Sequence, residues 1–305
     1  MKFNKLSNVQ EMLSNLELCN YIVANNKYNS ITKHNNIIVK KGPYSLLKGE
    51  IYFYENISKF LNISNFFVNF KQNINNNNDN NDKTQFLEFE MEYIHGIPLH
   101  FLHINKLITE KIIDDLFHIL NKLHNENMFE ITISKTNIHN NYFKKLKDRF
   151  NSNDYFFEDS VVVFNKIIND LSEHYSPQIA GIIHGDFWFS NIILDYANNY
   201  KLIDMKGQVD NILTLNGDIY YDYGKLYKSI LGFGLCLDNS TMDSEYLSYL
   251  KKYYLEKCKE KKLNIQYLSA VTNSLIFGSF HAIEDVNCKK RVWAFLKKLI
   301  YSNTY

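Results

Sequence analysis

His184, Gly185 and Asp186 are followed by Asn191, and Asp204 precedes Gly207 in an Ile-Asp-x-x-Gly setting. A carboxylate, an amide oxygen and a second carboxylate at these spacings suit the transfer of a phosphoryl group. Such a transfer asks little covalent help of a protein. It needs cations bridging the phosphates, a carboxylate near the incoming hydroxyl, and neutralisation of the charge on the moving group. Magnesium prefers oxygen ligands and takes only a few of them from side chains. Asn191 and Asp204, presented by the two arms of a hairpin, meet that need. Asp186, in the loop ahead of Asn191, would accept the proton of an acceptor hydroxyl. His184 is expected to brace the loop through hydrogen bonds rather than to perform chemistry.

The stretch resembles the catalytic loop of the aminoglycoside phosphotransferase and choline kinase family, within the protein-kinase-like fold. The family pattern HGDxxxxN followed by IDxxG is matched at every defining position. The resemblance implies ATP and Mg2+ as cofactors, Asp186 as the catalytic base, and Asn191 and Asp204 as the magnesium ligands. HGD in place of the HRD of protein kinases points to a small-molecule hydroxyl acceptor. Further on, GDIYYDYGKLYKSILG (217–232) resembles a GDxxYDxxKLxxS pattern of the branch associated with bacterial capsule and surface-polysaccharide biosynthesis. That likeness implies that Asp222 supports the catalytic loop through hydrogen bonds. The segment SFHAIEDVNCKKRVWAFL is similar to the same branch and makes His281, Asp285 and Arg291 candidates for the acceptor pocket; Trp188, in the catalytic loop, is a further candidate because choline-type recognition would use an aromatic cage. The acceptor classes implied are a sugar, an amino alcohol such as choline, or a hydroxy amino acid; ATP and GTP are not distinguished. An alternative is a nucleotide-binding module without turnover, which predicts erosion at Asp186, Asn191 or Asp204, and all three are present. A protein kinase would need an APE-like anchor after Asp204, and none stands between Gly207 and Gly217.

These residues need elements to position them. The first part of the chain reads as β-rich, with strand-like runs at Tyr21–Ala24, Ser30–Thr32 and Asn36–Lys41. A helix is expected over Leu47–Leu61 from the recurrence of apolar positions. Two further strand-like runs, Phe66–Phe70 and Gln85–Ile94, flank the asparagine-rich stretch Gln72–Asp82, which reads as a long hairpin tip. Lys40 or Lys41, at the end of a strand-like run, and Glu50, in the helix, resemble the family's phosphate-gripping lysine and its glutamate partner. Lys40 is preferred because it directly follows the apolar run. The phosphate-covering turn falls at Ala24–Ser30, where asparagines stand in for the family's glycines. Glu92, Tyr93 and Ile94 match the interlobe linker that binds the adenine edge through its backbone. Helices are expected at Thr109–Leu123, Asp159–His174, Tyr223–Leu231, Ser244–Lys262, Gln266–Ile283 and Lys289–Tyr301. The expected fold is α+β, protein-kinase-like and two-lobed: a small β-rich N-lobe over residues 1–94 that binds nucleotide, and a larger, mainly helical C-lobe over 95–305 that carries catalysis and the acceptor site.

Composition narrows the function. In 305 residues the formal net charge is +1, so no bulk field favours nucleic acid or anionic membrane. Four cysteines, Cys19, Cys236, Cys258 and Cys288, form no CxxC pair, which argues against a zinc ribbon and against a disulfide-stapled domain. Residues 1–13 show no apolar signal core, and nowhere do about 18 apolar residues run uninterrupted, so a cytoplasmic protein with no membrane insertion is expected.

Overall fold

The computed structural model describes residues 30–72, 86–126, 131–150 and 154–301. The expected strand at Tyr21–Ala24, the turn up to residue 29, the hairpin tip from residue 73 to 85 and Cys19 lie outside the described residues. In chain order the elements begin with β1 (Ser30–His34), β2 (Ile37–Pro43), α1 (Tyr44–Ile57), β3 (Phe70–Gln72), β4 (Phe86–Glu92), β5 (Gly96–Pro98) and α2 (Leu99–Ile104). Then come α3 (Glu110–His124), α4 (Lys135–Phe150), α5 (Ser160–Glu173), β6 (Ile179–Ala180), β7 (Ile192–Asp195) and β8 (Tyr200–Leu202). The chain continues through β9 (Gln208–Val209), β10 (Ile212–Leu213), β11 (Gly217–Asp218), α6 (Ile219–Ile230) and α7 (Phe233–Leu237). It closes with α8 (Ser244–Glu260), α9 (Ile265–Phe277) and α10 (Val286–Tyr301). The chain forms two compact units, one from residues up to Thr109 together with Ser190–Gly207, the other from Glu110–Phe189 and everything after Gln208.

The first unit is built on an antiparallel sheet in the order β1-β2-β4-β3. Strand alternation in β2 puts Ile38 and Lys40 on the buried side and Ile37 and Lys41 on the exposed side. Helix α1 starts three residues earlier than its apolar pattern foretold: Pro43, at φ −58°, is both the last residue of β2 and the N-cap, and it has no amide hydrogen to leave unpaired at that junction. Its inward face carries Leu47, Glu50, Ile51, Tyr54 and Ile57 at helical spacing. Phe53, Tyr54, Phe67, Phe70 and Phe89 form an aromatic core between helix and sheet. The strand expected at Phe66–Phe70 begins only at Phe70. Residues 64–66 turn as a 3-10 helix, which drops Phe67 and Val68 into the core. A second sheet of this unit, β5-β7-β8, holds the hairpin of interest.

The second unit is helical. Helix α9, buried from Tyr267 to Phe277, packs against α5 and α6. The helix expected over Gln266–Ile283 ends at Phe277; Gly278 follows, and residues 280–282 form a separate 3-10 turn. Tyr155, Phe277, Phe280 and Trp293 pack ring against ring beneath it. Among the described residues no helix is long and apolar enough to cross a membrane.

Candidate active site

In the first unit, Lys40 reaches from β2 and places Nζ 2.5 Å from Glu50 Oε2 and 2.5 Å from Asp204 Oδ1. Lys40 and Glu50 are each 5% exposed, whereas the Asp204 side chain is 40% exposed, so the cluster is a buried cation with one carboxylate behind it and one at the surface. Burial opposes the Lys40 charge, but Glu50 and Asp204 together hold its pKa above the ordinary lysine value. Burial pushes Glu50 up to about 7 against the pull of Lys40. Lys41 instead points outward and lies 3.8 Å from Glu88.

The hairpin β7–β8 sets Asn191 and Asp204 at its open end. The Ile203 amide donates to the Asn191 carbonyl at 3.1 Å and closes that end, one residue short of Asp204. Asp204 itself has φ +59°, in the left-handed region that only short polar residues and glycine enter readily. Gly207 has φ +53°, and a Cβ there would lie 1.8 Å from the Gly49 carbonyl oxygen, so the glycine of IDxxG allows this segment to touch the backbone of α1 one residue before Glu50. The donor set fits magnesium: few and hard oxygens, the Asp204 carboxylate partly exposed and Asn191 buried. Among the described residues no group of three or more His, Cys, Asp or Glu side chains converges on a metal position. The remaining ligands would therefore come from phosphates and water.

In the linker, the Glu92 amide donates to the Asn69 carbonyl at 3.1 Å, and the Tyr93 amide to the Asn36 carbonyl at 2.8 Å. Lys33 Nζ lies 3.5 Å from the centre of the Tyr93 ring.

In the second unit, helix α6 acts as a template for the loop 184–189. Asp218 caps the helix, accepting from the Tyr220 amide at 3.3 Å, and its buried carboxylate also accepts from the Gln178 amide and from the Tyr142 and Tyr267 hydroxyls. Asp222, fully buried, accepts from the His184 amide at 2.9 Å and the Gly185 amide at 2.7 Å, with His124 Nε2 3.1 Å away. Lys225 Nζ pairs with Asp186 Oδ1 at 2.6 Å. Lys228 Nζ stands 4.8 Å from the Trp188 ring centre. The Ser229 hydroxyl accepts from the Phe189 amide at 3.1 Å. The loop residues are thus held in sequence by side chains at successive turns of one helix face. His184 is buried and its Nδ1 accepts from the Asp186 amide at 3.1 Å, which curls the loop so that the Asp186 carboxylate emerges partly exposed.

Asp186, Trp188, Asp285 and Arg291 line one cavity of about 460 Å³, together with Lys225 and Lys228. Arg291 donates from Nε and Nη2 to the carbonyls that end α7, Cys236 at 3.2 Å and Leu237 at 3.1 Å. Asp285 Oδ1 accepts from the Cys288 amide at 2.6 Å at the start of α10. His281 is not in the lining; it is exposed, with Nδ1 2.8 Å from the Gly278 carbonyl. Sequence reasoning gave no role to Lys225 or Lys228. Their signal was available: counted from Asp222, they recur at three-residue intervals inside the GDxxYDxxKLxxS stretch, on the side of the helix that meets the loop.

No family model matches the sequence, and the search of curated proteins found none that matches it. Solved structures do. The choline kinase LicA of Streptococcus pneumoniae aligns with a TM-score of 0.55 at 13% identity, over 97% of this chain and 98% of that one. An ethanolamine kinase of Plasmodium vivax aligns at 0.53 and 14% identity, over 90% and 81%. A choline/ethanolamine kinase family protein of Mesorhizobium loti aligns at 0.52 and 12% identity, over 97% and 95%. At such identities the likeness is one of fold, and the fold is protein-kinase-like: a small antiparallel sheet in the N-terminal part and a larger, mostly helical part.

Proposed function

We propose that the chain is an ATP- and magnesium-dependent kinase that phosphorylates a hydroxyl of a small molecule. The observation that carries this reading is the buried Lys40 held between Glu50, ten residues on, and Asp204, 164 residues on, whose types match a phosphate-gripping lysine, its partner and a metal ligand. Lys40 would bind the α- and β-phosphates, kept in place and protonated by Glu50. Asn191 and Asp204 would hold the magnesium, which when bound neutralises charge on the transferring phosphoryl group. The Glu92 and Tyr93 amides are committed to protein carbonyls, so the Ile94 amide would serve the base edge. Asp186 would orient the acceptor hydroxyl and take its proton, with Lys225 fixing the carboxylate and Asp222 fixing the backbone that carries it. The acceptor classes to be tested are an amino alcohol such as choline, a sugar or a hydroxy amino acid; that solved structures of similar fold are named choline and ethanolamine kinases supports a small hydroxylated acceptor.

The test is a coupled ADP-release assay with ATP and Mg2+ across amino alcohols, sugars and hydroxy amino acids. Acceptor-dependent release is expected. Asp186→Asn should lower turnover roughly 100- to 10,000-fold, the range for loss of a positioned general base, and leave ATP affinity nearly unchanged. A fully active variant would remove Asp186 from this role, and absence of ATP binding would sink the reading. Tight ATP binding without release for any acceptor would favour a nucleotide-binding module.

A further inference from the structure

Helix α6 carries one charged side chain that its template role does not satisfy. Lys228 is 3% exposed, and among the described residues no carboxylate forms an ion pair with it. Its Nζ instead lies over two rings, 4.8 Å from the centre of Trp188 and 4.1 Å from that of Phe233. A lysine is rarely buried without a countercharge, because desolvating an ammonium is costly. Burial, and then the neighbouring Lys225, hold its pKa well below the ordinary value, with Asp186 pulling the other way. Asp186 is itself engaged with Lys225. All of these groups face the same cavity of about 460 Å³.

We infer that this cavity takes an acceptor bearing an anionic group, carboxylate or phosphate, near its reactive hydroxyl, and that Lys228 binds that group. This rests on the kinase reading above and narrows its acceptor. The aromatic faces of Trp188 and Phe233 could form a cage for a quaternary ammonium, but the protein's own ammonium already lies over them. A cationic amine placed there meets repulsion from Lys228 and Lys225. An anion meets attraction and supplies the countercharge that Lys228 lacks. Glu284 and Asp285 also line the cavity, but both are exposed, and Asp285 is engaged at the start of α10. Of the acidic and basic side chains at the wall only Lys228 is buried, and an anion beside it favours its protonated form.

Four hydroxylated probes separate the possibilities: D-glycerate, glycerol 3-phosphate, glycerol and choline, each used in calorimetric titration of the full chain and in the ADP-release assay. One or both anionic probes should bind and be phosphorylated in preference to glycerol and choline, and which one responds distinguishes carboxylate from phosphate. Lys228→Met should raise Kd and KM for the anionic acceptor roughly 10- to 100-fold, as expected for loss of a charged hydrogen bond, with KM for ATP unchanged. Lys228→Arg should retain most of the affinity. The thermal midpoint of Lys228→Met should be unchanged or higher, since an unpaired buried charge is removed; a lower midpoint would mark Lys228 as structural and count against the inference. Preference for choline, binding of neither anion, or anion binding indifferent to Lys228→Met would each overturn it. Lys228-dependent binding of an anion without any ADP release would keep the anion site and defeat the kinase reading. Turnover of choline with no anion binding would do the reverse.

Discussion

At the scale of single residues, Asp204 shows how charge and backbone conformation are joined. Its φ of +59° costs an ordinary side chain on the order of 1 kcal/mol, but asparagine and aspartate tolerate it. The pair Asp204→Asn and Asp204→Ala therefore separates two effects. Asp204→Asn keeps the backbone and removes the charge. It should lower the thermal midpoint only by the loss of its ion pair with Lys40, which keeps Glu50, while raising the Mg2+ concentration for half-maximal nucleotide binding by about 5- to 1,000-fold, the equivalent of about 1–4 kcal/mol for a charge pair between water and a partly shielded site. Asp204→Ala should show the same loss of metal response and a midpoint lower still. Unchanged metal dependence in both would remove Asp204 from the metal site. Asp186, Asn191 and Asp204 stand out in the sequence because phosphoryl transfer restricts the residue types sharply, and the roles given to them are proposed. The sequence favours Lys40 over Lys41 only by its place directly after the apolar run. Strand register decides which of the two turns inward: Lys40 lies opposite Phe89, on the side facing α1, and Lys41 opposite Glu88.

At the scale of elements, α6 explains its own motif. Gly217 leaves room for Ile183, whose Cδ1 would lie 2.1 Å from an added Cβ; Asp218 caps the helix; Asp222, Lys225 and Ser229 each hold a part of the loop. Asp222→Asn would present an amide N–H to backbone N–H donors, leaving at least one buried donor unpaired at a cost of about 1–3 kcal/mol. The expected outcome is a fall in turnover of at least about tenfold, ATP affinity near wild type, and faster hydrogen exchange at the Gly185 amide. Exchange unchanged alongside lost activity would mean that Asp222 acts by some other route than holding the loop. Helices with strong apolar periodicity, such as α3 and α5, were readable to within a residue or two. Helix α4 was not read at all: KTNIHNNYFKKLKDRF is polar throughout, and only Ile138, Tyr142, Phe143 and Leu146 mark its buried face. The end of α9 was overrun because the apolar sequence continues past Gly278, where the chain turns.

At the scale of the whole molecule, the fold followed from the change between short β-like runs and long helical ones, but the return of Ser190–Gly207 to the first unit is marked by no shift in composition. Stability carries its own signature. His103, 1% exposed on α2, has its pKa lowered to about 3 by burial and by the nearby His100. A depressed histidine contributes stability above its unfolded pKa of about 6.5, and that contribution is lost as pH falls toward 3. The slope is about 1.4 kcal/mol per pH unit for one proton. His103→Leu should flatten the midpoint-versus-pH curve between about pH 6 and 4 relative to wild type; an unchanged curve would show that His103 titrates normally. Gly49 and Gly207 carry a different consequence. Segments 158 residues apart meet backbone to backbone, with no side chain on either side to lengthen, shorten or recharge. Such a joint can be kept or broken but not tuned, so in divergence it acts as a fixed point: the helix bearing Glu50 and the strand end bearing Asp204 must drift as one piece, and variation in what the protein recognises is pushed outward, to residues that have side chains to change.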